Sequence, residues 1–539
     1  MLPQNPLTRR DFTASLASAF AAPERKRPNI IVMLADDMGF SDLGCYGSEI
    51  ATPNLDAMAR QGVRFTQFYN TARCCPTRAS LLTGLHPHQA GVGHMVDNGR
   101  QLPGYRGDLN NRCVTIAEAL KTAGYRTAMS GKWHVTPVTD SKRNWPTQRG
   151  FDHYYGIIHG AASYYDPVTL VRDNEYISRP AGDYYFTDAI GENAVNYIDS
   201  LSKQPDPFFL YVAFTSPHWP LHAREADTAK YRGRYKDGWD ALREERHARM
   251  KNLGIVDPRW PLSPRDAQSP GWPDAAHQDW QQRRMEVYAA QISVMDQNIG
   301  RIFSKLKQTG ADDNTLVLFL ADNGGCAEEL GPRAAARHIP KTTSDGRPVV
   351  PGNRPELVPG GPDTYQSYGL SWANASNTPF RRFKHWVHEG GIATPLIARW
   401  PKQLKKTGGL SHQPGQLPDI MATCLDAAGA AYPKQRGSEP VQPLEGRTLL
   451  PAARGAKPVD RELYWEHEGN KAVRAGKWKL VCKYPGEWEF FDLVADRTET
   501  HNLAAAQPAK VAELKSLWET WARRANVEPW DVVQKAPRV

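Results

Sequence analysis

The chain has 539 residues, more than one ordinary hydrophobic core holds, which implies a large domain with a smaller one beside it. Hydrophobic residues make up 40% and charged residues 23%, which excludes a disordered or fibrous chain, and no apolar run is long enough to cross a bilayer. The formal net charge of +9 favours anionic substrates or surfaces without selecting one, and seven scattered cysteines without paired C-x-x-C spacing argue against a zinc ribbon or a disulfide framework.

In chain order, residues 1–24 come first. Thr8-Arg9-Arg10-Asp11-Phe12, a weakly apolar stretch from Thr13 to Ala22 and the small-residue site Ala19-Phe20-Ala21 resemble a twin-arginine export signal. That predicts a periplasmic or secreted protein, exported already folded; a disordered leader on a cytoplasmic protein is the alternative. Asn29-Ile30-Ile31-Val32-Met33-Leu34-Ala35 is apolar on both faces, the pattern of a strand inside a covered sheet, and it ends in Asp36-Asp37. Two adjacent carboxylates repel each other unless a cation joins them; capping a turn is the bland alternative. Residues 52–62 predict a short helix with a glycine stop, and Val63 to Tyr69 a strand.

Arg73-Cys74-Cys75-Pro76-Thr77-Arg78-Ala79-Ser80-Leu81-Leu82-Thr83-Gly84 follows. Proline suits the first helical position, so Cys74 is expected just ahead of a helix N-terminus, where free N–H groups and the dipole favour an anion. Arg78, about one turn further in, reaches back to the same spot. The run resembles the sulfatase signature C-x-P-x-R-x-x-x-L-T-G, in which the cysteine is oxidised to formylglycine, an aldehyde that hydrates to a geminal diol. Only Cys74 has the required spacing to Pro76 and Arg78; Cys75 stands where the family often has serine. A buried structural thiol is the plain alternative for Cys74.

Thr115-Ile116-Ala117-Glu118 is a capping box opening a helix that ends at Gly124, and the strand from Arg126 to Ser130 delivers Lys132 and His134 just beyond its end. Arg149 to Gly156 resembles a recurrent family segment that reads as structural. Residues about 159–190 are aromatic-rich and irregular, a rim near the substrate. The strand from Phe208 to Phe214 ends in Ser216-Pro217-His218, again a family match, presenting His218 in the same layer. Residues 223–284 read as a surface excursion in which Arg243-Glu244-Glu245-Arg246-His247 forms a solvated helix face rather than a polyanion groove. Met285 through Leu306 marks a long amphipathic helix. Thr315 to Ala321 is a second buried strand, and it ends in Asp322-Asn323. Two apolar strands that each finish in a pair of oxygen ligands would, as neighbours, build an all-oxygen site suited to a hard cation, calcium or magnesium. Residues 327–376 read as loops at the entrance, and the segment from Asn377 to Pro395 matches the family, with Lys384 as its second sulfate-binding lysine. A helix from Pro418 to Gly429 closes the large domain. Short strands near 461–465, 477–481 and 489–493 and a helix bearing Val511, Leu514, Trp518 and Trp521 form a separate C-terminal unit.

The resemblance to sulfatases of the alkaline phosphatase superfamily, bacterial arylsulfatases above all, covers the chain after residue 28. It implies an α/β fold: a large domain (25–435) whose central mixed, mostly parallel sheet lies between helices, and a smaller C-terminal subdomain (436–539) with an antiparallel sheet and a packed helix. It implies hydrolysis of a sulfate monoester, aryl or carbohydrate, through Cys74 as formylglycine. One Ca2+ per chain would sit on Asp36, Asp37, Asp322, Asn323 and the modified Cys74. Arg78, Lys132 and Lys384 would neutralise sulfate, Asp322 would take the proton of the attacking hydroxyl, His218 would protonate the leaving oxygen, and His134 would take the second diol proton. The partners implied are the sulfate ester and a formylglycine-generating maturation enzyme, with no nucleic acid and no membrane span. Two other readings stand open: a phosphate or phosphonate ester hydrolase on the same fold, separable by parallel aryl sulfate and aryl phosphate assays, and an unmodified, silent binder of sulfated glycans.

Overall fold

The computed structural model describes residues 27–139, 141–332, 336, 338–405 and 407–539. The leader expected at 1–24 lies outside them. Among the described residues no helix is long and apolar enough to cross a membrane.

An 11-stranded sheet forms the centre of the large domain, with the order Gly409–Ser411, Val63–Tyr69, Ala393–Arg399, Thr315–Ala321, Asn29–Asp36, Phe208–Pro217, Arg126–Lys132, His153–Ile157, Leu170–Arg172 and Glu175–Tyr176; Gly415–Gln416 also pairs with Val63–Tyr69. The five strands from Thr315–Ala321 to His153–Ile157 run parallel, whereas Ala393–Arg399 is antiparallel to both its neighbours. Every residue of Asn29–Asp36 is buried, and side-chain alternation explains why an unbroken apolar run is needed there. Ile31, Met33 and Ala35 join one core with residues of the helices Phe186–Ser202 and Gln278–Gln308. Ile30, Val32 and Leu34 join the other, with the helices Cys74–Thr83, Ile116–Lys121 and Pro418–Ala428.

The C-terminal sheet runs Glu462–His467, Asn470–Ala475, Trp478–Cys482, Trp488–Asp492, all antiparallel. Val473, Leu480 and Phe490 face Leu514, Trp518 and Trp521 of the helix Pro508–Ala525. The alternate residues Ala472, Val481 and Phe491 enter the core of the large domain. Lys479 is buried between Glu389 Oε1 (2.9 Å) and Glu499 Oε1 (2.7 Å), and Arg497 Nε adds a second contact to Glu389 (2.8 Å). The small sheet is thus fastened to the large domain by ions as well as by packing.

Three readings of the sequence are corrected. The helix begins at Cys74, with Pro76 as its third residue; the first four helical N–H groups have no intrahelical partner, so proline costs nothing at any of them. Arg243, Arg246 and His247 are buried, because the helix Gly238–Asn252 turns residues three and four apart to one face while Glu244 and Glu245 point outward. Arg246 bonds Asp42 (2.6 Å) and Glu49 (2.9 Å). The span 159–190 is not wholly irregular: it includes the strands Leu170–Arg172 and Glu175–Tyr176 and the start of the helix Phe186–Ser202.

Candidate active site

Four of the five parallel strands deliver the polar residues at their C-terminal ends, the edge at which open α/β sheets bind ligands. Asn29–Asp36 and Thr315–Ala321 are direct neighbours, with Ala35 opposite Ala321, so Asp36-Asp37 and Asp322-Asn323 emerge side by side. Phe208–Pro217 flanks them and presents His218; Arg126–Lys132 follows and presents Lys132 and His134. Gly131 has φ +119°, and a Cβ there would run into the Ala213 carbonyl oxygen, so glycine lets the strand bring Lys132 in. Asp37 (φ 62°) and His134 (φ 55°) both adopt the left-handed conformation, uncommon outside glycine and concentrated at functional sites.

The helix Cys74–Thr83 points its N-terminus at this edge. Arg78 is fully buried; it donates from Nη1 to the Lys132 carbonyl (3.0 Å) and from Nη2 to Asp322 Oδ2 (2.9 Å), with Asp36 Oδ1 at 3.4 Å. Lys132 Nζ donates to Asp36 Oδ2 (2.6 Å). Asp37 accepts at Oδ1 from Asn323 Nδ2 (2.6 Å) and at Oδ2 from Lys384 Nζ (2.9 Å), with His218 Nε2 at 3.3 Å from the same oxygen. The Asp37 N–H donates to Asp322 Oδ1 (3.0 Å). Cys74, Cys75 and His134 bring their ligating atoms within 4.8 Å of one another, with His134 Nε2 3.2 Å from Cys75 Sγ. All ten residues predicted from the sequence therefore meet in one place.

Burial pushes the Asp322 carboxyl well above the usual range, reinforced by Asp36 beside it, and burial also raises Asp36 despite Lys132 and Arg78. At Asp37 burial again acts upward, but Lys384 and His218 outweigh it and the net shift is downward. A hydrogen bond with Cys75 holds the Cys74 thiol well below its usual value against burial, assisted by Lys132 and His134. Burial lowers His218 to about 4 and lowers His134 as well.

Three carboxylates crowd this site, and burial makes two of them resist ionisation. Asp36 Oδ1 and Asn323 Oδ1 are buried without a hydrogen-bond partner, and the ligating atoms of Asp36, Asp37 and His218 lie within 4.8 Å of each other. This donor set, rich in oxygen, fits a hard cation.

Two participants escaped the sequence reading. Cys75, read only as a variant of serine, contacts His134. Glu328 pairs with Arg73 (3.0 Å) and accepts from Trp219 Nε1 (2.9 Å). Lys384 and Arg73 hold its carboxyl down against burial. It lies in the entrance segment 327–376, whose lack of periodicity left no signal for a specific side chain.

The sulfatase family profile matches residues 28–430, and the profile described as N-sulphoglucosamine sulphohydrolase, C-terminal, matches residues 380–523. An uncharacterized sulfatase of Schizosaccharomyces pombe is 34% identical over 540 residues, covering 94% of this chain and 95% of that protein. An arylsulfatase of Klebsiella aerogenes is 35% identical over 449 residues, covering 80% and 94%. Among solved structures, that of Ps i-CgsB with k-i-k-neocarrahexaose superposes with a TM-score of 0.67 at 23% identity, covering 94% of each chain.

Proposed function

The chain belongs to the sulfatase family, and from that premise we propose that it hydrolyses sulfate monoesters, of an aryl alcohol or a carbohydrate, to the free hydroxyl compound and inorganic sulfate, using Cys74 as formylglycine. The observation that carries the proposal is the place of Cys74 at a helix N-terminus, where a hydrogen bond with Cys75, assisted by Lys132 and His134, depresses its thiol against burial and so favours an anion at that position.

Asp36, Asp37, Asp322 and Asn323 would hold Ca2+, which supplies a fixed positive charge for the sulfate oxygens and for the nucleophile. The hydrated aldehyde of Cys74 supplies one hydroxyl for attack on sulfur and a second whose deprotonation allows sulfate to leave. Asp322, which a bound cation would keep ionised, is suited to accept the proton of the attacking hydroxyl. Arg78 is held on Asp322, Lys132 on Asp36 and Lys384 on Asp37, and all three would face sulfate oxygens. His218 Nδ1 lies 2.6 Å from the Trp219 carbonyl and donates to it, leaving Nε2 to carry the exchangeable proton. At about 4 its resting state is neutral; the negative charge of a bound sulfate raises its proton affinity and suits it to protonate the leaving oxygen. His134, against Cys75 and Cys74, is suited to take the second diol proton. The leader-like sequence of residues 1–24 supports action in the periplasm or outside the cell.

The test is peptide mass spectrometry of the Cys74 peptide from protein made together with a formylglycine-generating enzyme, alongside assays on an aryl sulfate and the matching aryl phosphate. Conversion of Cys74 but not Cys75, with aryl sulfate preferred, is the expected result. A fully active preparation that retains the Cys74 thiol refutes the aldehyde, and a preference for phosphate refutes the substrate class.

A further inference from the structure

Beside this site, on residues to which the reaction above assigns no part, three histidines and a glutamate meet. His94 lies in the loop after the helix Pro87–Ala90, His385 directly follows Lys384, and His467 and Glu468 occupy the turn between the strands Glu462–His467 and Asn470–Ala475. Glu468 Oε1 is 3.0 Å from His94 Nδ1 and 3.6 Å from His467 Nε2, and Glu468 Oε2 is 3.3 Å from His385 Nδ1. The ligating atoms of His385, His467 and Glu468 all lie within 4.8 Å of one another. We propose that His385, His467 and Glu468 bind a divalent cation of the zinc class, with His94 held on Glu468 beside them, forming a second metal site separate from the oxygen-rich one.

The cluster asks for a ligand. His467 is fully buried, yet neither of its ring nitrogens has a hydrogen-bond partner, a state that costs free energy unless something else occupies them. Its spacing suits a small metal: ligands about 2.0–2.2 Å from a tetrahedral centre stand about 3.3–3.6 Å apart. The carboxylate-to-imidazole separations of 3.3 and 3.6 Å match that edge. Two imidazoles with one carboxylate select zinc, copper or nickel over calcium.

The protonation states are those a metal needs. Burial lowers His467 well below its usual value and lowers His385, so both are neutral with a free lone pair at pH 7. The turn itself is unusual. Glu468 (φ 50°) and Gly469 (φ 83°) form a two-residue hairpin loop whose first position favours asparagine, aspartate or glycine, and a glutamate stands there. A metal at this point would tie a segment of the large domain to the C-terminal sheet, beside Arg73 and Lys384. His385 and Glu468 are 28% and 21% exposed, which leaves the metal a way in.

The test uses the full chain, calcium-loaded, titrated with Co2+ as a coloured substitute and then with Zn2+. One equivalent of Co2+ should give the visible absorption of a four-coordinate site without thiolate charge-transfer bands, and Zn2+ should displace it with calcium present in excess. Glu468→Gln should abolish the signal, and His385→Gln, at a partly exposed position, should weaken binding at least tenfold while the melting profile of the metal-free protein stays unchanged. Cys75→Ser should bind Co2+ normally, since among the described residues the only other cluster with thiol ligands is Cys74, Cys75 and His134. Absence of stoichiometric Co2+ binding, a signal that persists in both ligand variants, or thiolate bands lost in Cys75→Ser would overturn the proposal.

Discussion

Replacing Lys384 by methionine tests the division of labour among the cations. The two side chains are close in length, and Lys384 is buried at 3% exposure, so the change removes a charge without opening a cavity. Lys384 Nζ contacts Asp37 Oδ2 at 2.9 Å, but Asp37 keeps the Asn323 amide on its other oxygen, and a bound calcium would supply the missing counter-charge, so it is not stranded. The loss should therefore fall on the sulfate rather than on the fold or the metal. Removing one preorganised donor from a developing anion costs about 2.7–4 kcal/mol, equivalent to about 10²–10³ in rate. The assay is kcat/KM on an aryl sulfate, with calcium content and melting temperature measured on the same preparation. A fall of about 10²–10³ with calcium retained is expected. A fall of less than threefold, or one that tracks loss of calcium, would show that Lys384 serves only as the counter-charge of Asp37.

Cys74→Ser keeps one hydroxyl but lacks the second one needed to expel sulfate, so the variant should stall as a covalent sulfate ester after at most one turnover; intact-protein mass and phenol released per enzyme read this out, and sustained turnover would sink the role of the diol. Asp37→Ala should lower calcium content together with rate, because it removes one of three carboxylates from the site, and elemental analysis showing unchanged calcium counts against the ligand set. Lys479→Met leaves Glu389 and Glu499 buried without their shared cation and should cost about 3–5 kcal/mol, seen as a lower melting temperature and earlier proteolysis of the C-terminal sheet. In the wild type, burial pushes Glu389 upward but Lys479 and Arg497 bring it down to about 2 from 4.5; its stabilisation is complete above about pH 4.5 and is lost as pH falls toward 2. Glu389→Gln should flatten stability over that window, and an unchanged acid limb would refute the assignment.

The parts of the site that could be read from the sequence are those attached to buried strands. Asn29–Asp36, Thr315–Ala321 and Phe208–Pro217 are apolar on both faces, which marks them as interior, and the polar residues where each run ends then have only one place to be. What the pattern could not supply is which strands are neighbours; the pairing of Ala35 with Ala321 is a fact of the fold. Side chains whose burial rests on ion pairs carry no such signal. Arg246 and Lys479 look like surface residues in a one-dimensional pattern, since the partners that let them be buried, Asp42, Glu49, Glu389 and Glu499, are far away in sequence. The strand Asn470–Ala475 was missed for a related reason: it reads Asn-Lys-Ala-Val-Arg-Ala, with a buried Arg474 that donates to Tyr69 Oη (2.9 Å) and Gln67 Oε1 (2.6 Å). The His94, His385, His467, Glu468 group shares this property, being drawn from three separated loops.

The charge pattern of the site also bears on the order in which it fills. Asp36, Asp37 and Asp322 are contacted by Arg78, Lys132 and Lys384, so each cation is paired with a carboxylate. In that state each lysine and arginine is committed to a carboxylate rather than to a sulfate. A divalent cation on the aspartates would change this. It would favour full ionisation of Asp322 and Asp36, which burial now opposes, and would take over the carboxylates, freeing Arg78, Lys132 and Lys384 for the sulfate oxygens. Substrate affinity and metal affinity are therefore linked through the same three aspartates, and linkage is reciprocal. Calcium should bind more tightly in the presence of inorganic sulfate, and sulfate should inhibit more weakly as calcium is withdrawn. Equal calcium affinity with and without saturating sulfate would mean that the cations are not released from the aspartates when metal binds.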